Sequence, residues 1–276
     1  MKKSKVLFHS IIFVIISIIL QVMVTFLVGI YHTIKTGMNI FEQQGLVTFT
    51  EKYSLLIIII GWVVTLSIFF LFFVISKKSF VKENKLNKKI SLKNICLCFI
   101  CGIGINITIN SILSLIKIEQ LIPQYGEIIQ KIVSNKFYIT LICVGILIPI
   151  CEEIFYRGII LGKLRTGFGV LGAVIIQAIL FGVGHMNLVQ GIYAFVIGII
   201  FGYVVIWTGS LYSSILLHIV INSLSTIISN VKNLSLTDTN LVSVIFFGIL
   251  ITIIGLKVLY EINKNKKDNI IHFSIK

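Results

Sequence analysis

Charged residues are scarce in this chain: 12% of its 276 residues, against 57% hydrophobic. A soluble domain of this length could not hide so much apolar surface in one core, so that class is excluded. Only two prolines occur, Pro123 and Pro149, and no proline-rich, repetitive or low-complexity stretch divides the chain. Residues 1–276 therefore read as one domain. Cysteines are few and odd in number, and Cys96, Cys98, Cys101, Cys143 and Cys151 all fall in apolar runs without zinc-like histidine pairing nearby. They are expected to be small packing residues. The apolar runs also lack the period-two alternation of a membrane β-barrel, which excludes that fold.

What is present is a series of long apolar runs. Eight approach or exceed the ~20 residues of a bilayer-spanning helix: 7–30, 54–76, 95–116, 137–161, 169–187, 188–207, 211–229 and 241–260. The expected fold is all-α, a polytopic transmembrane helical bundle of about eight spans. Spans one to three lie in 1–136, spans four to seven in 137–229, and the last is 241–260. The opening "MKKSK" and the run behind it resemble a secretion signal, but no small-x-small cleavage site follows, so the run is expected to stay as the first span.

The net charge of +14 invites a nucleic-acid partner, but its distribution argues against one. With both termini cytoplasmic, 17 basic residues fall inside and 6 outside, with Arg157 in the fourth span. That asymmetry is the positive-inside rule and predicts the orientation. The partner it implies is the lipid bilayer, with "KKSFVKENKLNKK" meeting anionic headgroups. The segment 117–136 mixes polar and apolar positions and is expected along the outer interface. Gly158/Gly162 and Gly198/Gly202, each four apart, are expected to let helices approach closely.

One stretch breaks the apolar pattern: "ILIPICEEIFYRGIILGKLR", residues 146–165. Glu152, Glu153 and Arg157 are the acidic and basic residues at depth across the eight runs; Lys257, in the last turn of the eighth, can snorkel to the surface. Ionisable groups at depth are costly and point to function. Glu153 and Arg157 stand i and i+4 with the acid first, the favourable order for an ion pair. Glu152 points about 100° away and has no such partner on its own helix. One glutamate thus balances the arginine and the other stays available as a general base.

At ~1.5 Å per residue, Glu152 lies roughly 16 Å from the cytoplasmic edge, His185 about 22 Å, His218 about 12 Å and Asn222 about 18 Å. Three helices therefore bring polar groups to overlapping depths in a ~30 Å core. Tilt, or a kink at Pro149, must absorb the excess for His185. His218 and Asn222 share a face at i, i+4; so do Phe181 and His185, an apolar floor beside a polar group. A carboxylate base, an imidazole and two converging donors suit water attack on a carbonyl, with the donors stabilising the oxyanion. Peptide hydrolysis is the reaction this predicts.

"EEIFYRG", "FGVGH" and "HIVIN", in this order on separate spans, resemble the three motifs of the CAAX-protease and bacteriocin-processing (CPBP, or Abi) family of intramembrane proteases. The resemblance covers residues 137–229. It implies that Glu152 with His185 activates water and that His218 with Asn222 forms the oxyanion hole. Glu153 and Arg157 then either support the site as an ion pair or bind the substrate terminus. No cofactor is expected, although Glu152, His185 and His218 are also an acceptable zinc set; the His-Glu-x-x-His helix of many metalloproteases is absent. The substrate expected is a membrane-associated peptide, such as a bacteriocin or signalling precursor, or a prenyl-type protein. Richness in Ile, Lys and Asn points to a low-GC bacterium and hence to its plasma membrane. Two rivals remain: a non-catalytic immunity or scaffolding protein, and a proton-coupled transporter, weakened by the lack of internal repeats.

Overall fold

In the computed structural model, residues 2–127, 136–230 and 238–266 are described. Eight long helices account for most of them, and no strand occurs among the described residues. In chain order they are α1 (Lys3–Thr36), α2 (Gln43–Ile75), α3 (Leu92–Leu115), α4 (Phe137–Leu164), α5 (Val170–Gly184), α6 (Leu188–Thr208), α7 (Leu211–Asn230) and α8 (Asp238–Asn263). Each expected span coincides with one of them. Seven are long and apolar enough to cross a bilayer. The all-α, multi-pass membrane architecture is therefore the fold.

The exception is α5. Its 15 residues measure about 22 Å, short of a ~30 Å hydrocarbon core. The expected span 169–187 fails at its far end because His185 caps the helix and Met186 turns back at φ 53°. There the Asn187 side chain accepts a hydrogen bond from Gln190 N (3.0 Å) and starts α6. Thus α5 and α6 form a tight antiparallel hairpin. Its tip is close because neither Gly182 nor Gly191 carries a Cβ: one added at Gly182 would stand 2.6 Å from the Gly191 carbonyl oxygen.

At the first two helices the difference runs the other way. The segment 31–53, expected as a polar outside interruption, is mostly helix, because α1 and α2 continue past the apolar runs. Gly37, at φ 72°, ends α1 in the left-handed conformation that favours glycine. Val24, Phe49, Tyr53 and Ile57 then form a small apolar cluster that zips the two extensions together.

The bundle's centre is α4. Phe155, Ile160, Leu161 and Leu164 from it pack with Phe181 of α5, Phe201 of α6 and Leu217 of α7. Helices α1, α2 and α8 instead present rows of exposed apolar side chains, such as Phe26, Leu27, Phe72, Phe246 and Ile253. In water such a surface would drive aggregation; against acyl chains it costs nothing. Of the glycine pairs, Gly198 and Gly202 do let α6 approach Ala178 and Val174 of α5. Gly158, however, makes room for Asn84 of the basic 76–91 loop, and Gly162 meets nothing within 4 Å. Part of that loop is therefore docked into the bundle: Asn84 is buried, and Ser210 Oγ donates to the Lys88 carbonyl.

Candidate functional site

Helix α4 is not uniform, and its irregularity builds the site. Leu141–Leu147 and Ile154–Ile160 wind as π-helix, and a short α-helical piece, Ile148–Glu153, lies between them. Pro149 sits at the start of that piece. Lacking an N–H, it leaves a carbonyl of the preceding turn without its usual donor. Two side chains of α7 donate to carbonyls of this turn: Asn222 Nδ2 to Val144 O (3.2 Å) and Ser223 Oγ to Gly145 O (3.2 Å). Proline and the two polar residues thus fix the register of α4 against α7. The kink expected at Pro149 is expressed as this change of winding, a form common where helices carry function.

That register sets Glu152 and Glu153 opposite His218. Glu153 is fully buried and its Oε1 accepts from Arg157 Nη1 at 2.8 Å, the ion pair the i, i+4 spacing predicts. The same oxygen accepts from His218 Nδ1 at 2.9 Å. With Nδ1 committed, the other ring nitrogen faces the second carboxylate: His218 Nε2 is 3.7 Å from Glu152 Oε2. That is too long for a direct hydrogen bond and a separation at which a bridging water is the natural linker. Glu152 is not wholly sealed, its side chain remaining 13% exposed. The free glutamate of the sequence reading is therefore free of Arg157 but lies beside His218.

Aromatic rings hold the Arg157 cation in place. The Arg157 guanidinium lies over Phe181 (4.0 Å to the ring centroid) and Phe201 (4.8 Å), contacts that stabilise a desolvated cation. Phe181 also touches both imidazoles, with centroids 4.7 Å from His185 and 6.0 Å from His218. His185 Nδ1 donates to the Phe181 carbonyl at 2.8 Å, which leaves Nε2 as its unprotonated nitrogen. Among the described residues no ion pair joins His185 to either glutamate. The structure thus links Glu152, Glu153, Arg157, Phe181 and His218 in one network of contacts in which Glu152 is reached through His218, with His185 joined through Phe181 and Asn222 one turn along α7.

For a metal the fit is poor. Among the described residues no three His, Cys, Asp or Glu side chains are grouped as a metal would need, so Glu152, His185 and His218 do not converge as a zinc set.

Three residues escape sequence reasoning. Phe201 stacks near His218 (4.9 Å between centroids), but a phenylalanine in an apolar run carries no signal. Tyr156 lies inside the first motif; its hydroxyl fills the space where a Cβ at Gly184 would stand, locking α4 to the end of α5. Tyr193, on α6, lies within electrostatic reach of Glu152. Its motif-free surroundings gave no hint.

Residues 134–224 match the family model described as Rce1-like, type II CAAX prenyl endopeptidase. All of the side chains just placed, from Pro149 to Ser223, fall within that match, which covers about a third of the chain. No curated protein and no solved structure gives a significant match. By that match, the segment bearing the three motifs is similar to the type II CAAX prenyl endopeptidase family.

Proposed function

We propose that this protein is an intramembrane endopeptidase in which Glu152 activates water against a peptide carbonyl. The observation that carries this reading is the geometry around His218: Glu153 holds Nδ1 at 2.9 Å and leaves Nε2 facing Glu152 at 3.7 Å. A water between them sits beside a base and beside a ring that its second carboxylate has oriented, the arrangement general-base catalysis needs. Glu152 takes one proton as the water oxygen bonds to the carbonyl carbon. His218, held through Nδ1 by Glu153, orients the water with its Nε2, and the oxyanion meets the second amide N–H of Asn222. Glu152 then returns the proton to the departing amine nitrogen as the C–N bond breaks, giving an acid and an amine. His185 offers its unprotonated Nε2 to the same water, and Glu153 and Arg157 keep the pocket's charge balanced. No step draws on a metal.

The substrate in this reading is a membrane-associated peptide or a prenyl-type protein, and the setting a bacterial plasma membrane. The family match supports a protease in general; burial of the site among apolar helices supports a substrate delivered through the bilayer. One observation favours the non-catalytic alternative, an immunity or scaffolding protein. Asn222 and His185 each already make a structural hydrogen bond, to Val144 O and Phe181 O. Expressing Glu152→Ala and His185→Ala at wild-type levels and assaying cleavage of candidate membrane peptides separates the two. Loss of cleavage in both supports the protease, whereas biological protection that survives both changes supports the scaffold.

A further inference from the structure

The docked part of the 76–91 loop encloses a cleft against the end of α4 that is cytoplasmic in the predicted orientation. Glu83, Asn84 and Lys85 of the loop face Arg157, Gly158 and Arg165 of α4 around about 290 Å³ of space, part of it open to solvent. The loop is fixed there: Asn84 is buried with its Nδ2 donating to Phe80 O (2.8 Å), and Leu86 N donates to Val81 O (2.9 Å). That closure leaves Lys85 at φ 55°, a left-handed backbone that non-glycine residues adopt at a cost. Three cations therefore line one cleft with a single acid, Glu83, which is exposed. Among the described residues neither Lys85 nor Arg165 forms an ion pair. Arg157 commits only Nη1, to Glu153; its Nε and Nη2 are buried without a hydrogen-bond partner. Those two nitrogens form an edge through which a guanidinium holds an oxyanion by two parallel bonds. Burial, with the charge of Arg165 nearby, already pushes the Lys85 ammonium down to about 8. The cleft thus gathers positive charge that its own walls do not balance.

We propose that this cleft binds a phosphate group, held by Lys85 and Arg165 over a floor formed by the unpartnered edge of Arg157. A phosphate suits it better than a planar carboxylate, because its oxygens point in tetrahedral directions and meet donors from loop and helix at once. At the cytoplasmic surface two sources offer that chemistry, the headgroup of an anionic lipid and free inorganic phosphate. Once bound, the group ties the loop to α4 and offsets the buried charge of Lys85. The site differs from diffuse attraction between the lysine-rich loop and headgroups, because it depends on two particular cations rather than on their number. It does not rest on the hydrolytic reading.

The test uses full-length protein in a neutral detergent near neutral pH, with its thermal midpoint as the readout. Sodium phosphate is titrated against sodium chloride of equal ionic strength, and phosphatidic acid against phosphatidylcholine added to the micelles. Phosphate or phosphatidic acid should raise the midpoint along a binding curve, and the two controls should not. Lys85→Gln and Arg165→Gln, both outside the hydrolytic network, should each weaken the apparent affinity about ten-fold, the loss of one charge-assisted bond. The double change Lys77→Gln/Lys89→Gln removes two exposed lysines of the same loop and should weaken it less than about two-fold. Stabilisation by phosphatidic acid alone assigns the site to a lipid headgroup; stabilisation by inorganic phosphate assigns it to the free anion. A midpoint that rises without saturating, equally in wild type and both glutamine variants, is the general effect of phosphate salts and overturns the site. So does a Lys77/Lys89 variant that loses as much affinity as Lys85→Gln.

Discussion

A single carboxylate oxygen, Glu153 Oε1, is shared by Arg157 at 2.8 Å and His218 at 2.9 Å. One atom thereby neutralises a buried guanidinium and aims an imidazole. Replacing Glu153 with Gln removes the charge but keeps the shape. Because it strands the buried arginine, the change should lower stability by about 3–5 kcal/mol and also slow cleavage. Glu153→Gln/Arg157→Met, which removes both charges, should recover much of the stability and little of the activity. Thermal unfolding in detergent, paired with a cleavage assay, checks both halves.

The proline device on α4 makes a thermodynamic prediction. If Asn222 compensates for the N–H that Pro149 lacks, its value should depend on the proline. Asn222→Ala alone should cost roughly 0.5–1.5 kcal/mol for the lost bond. In a Pro149→Ala background, where the backbone regains a donor, the cost should shrink. A double-mutant cycle on thermal stability measures this coupling, and additive effects would show that proline and amide act independently.

Packing of α4 against the end of α5 leaves no room at Gly184, where an added Cβ would collide with the Tyr156 hydroxyl. Gly184→Ala should therefore destabilise by about 1–3 kcal/mol through overpacking. Tyr156→Phe in the same chain removes the colliding oxygen and should restore a good part of the loss. Since His185 follows directly, the single variant should also lose cleavage activity.

Lys85, in the loop before α3, lines a small cleft with Arg165. Burial, reinforced by the positive charge of Arg165, lowers its pKa from 10.5 to about 8. The folded state thus releases the proton more readily than the unfolded chain. Stability should rise as pH increases from about 8 towards 10.5, the interval in which only the unfolded form still holds the proton. Below about pH 8 the penalty is fully present. Lys85→Met should raise the thermal midpoint at pH 7 and flatten its rise between pH 8 and 10. A variant with the wild-type slope would rule out Lys85 as its source.

Much of this was readable in the residues because a bilayer simplifies the code. Continuous apolar runs marked all eight helices, and the i, i+4 spacing of Glu153 and Arg157 predicted their ion pair. What escaped was set by tertiary contact. The early end of α5 follows from the positive-φ turn at Met186, a residue whose apolar side chain carries no turn signal in the sequence. The partner of Glu152 turned on the winding of α4, which a fixed rise of 1.5 Å per residue does not capture. The hydrogen bond of His185 Nδ1 to the Phe181 carbonyl and the approach of His218 to Glu152 at 3.7 Å are tertiary details of the same kind. Phe201 and Tyr193 looked like ordinary lipid-soluble residues because proximity, not type, gives them their place.

Hydrolysis here depends above all on the Glu152 carboxylate acting as the base. Purified protein in lipid bilayers should be given a membrane peptide that the wild type cleaves, under single-turnover conditions, and compared with folded Glu152→Gln. A fall in rate of about 10²- to 10⁴-fold, the usual worth of a positioned base, with substrate binding retained, is the predicted result. Cleavage by Glu152→Gln at the wild-type rate would contradict it.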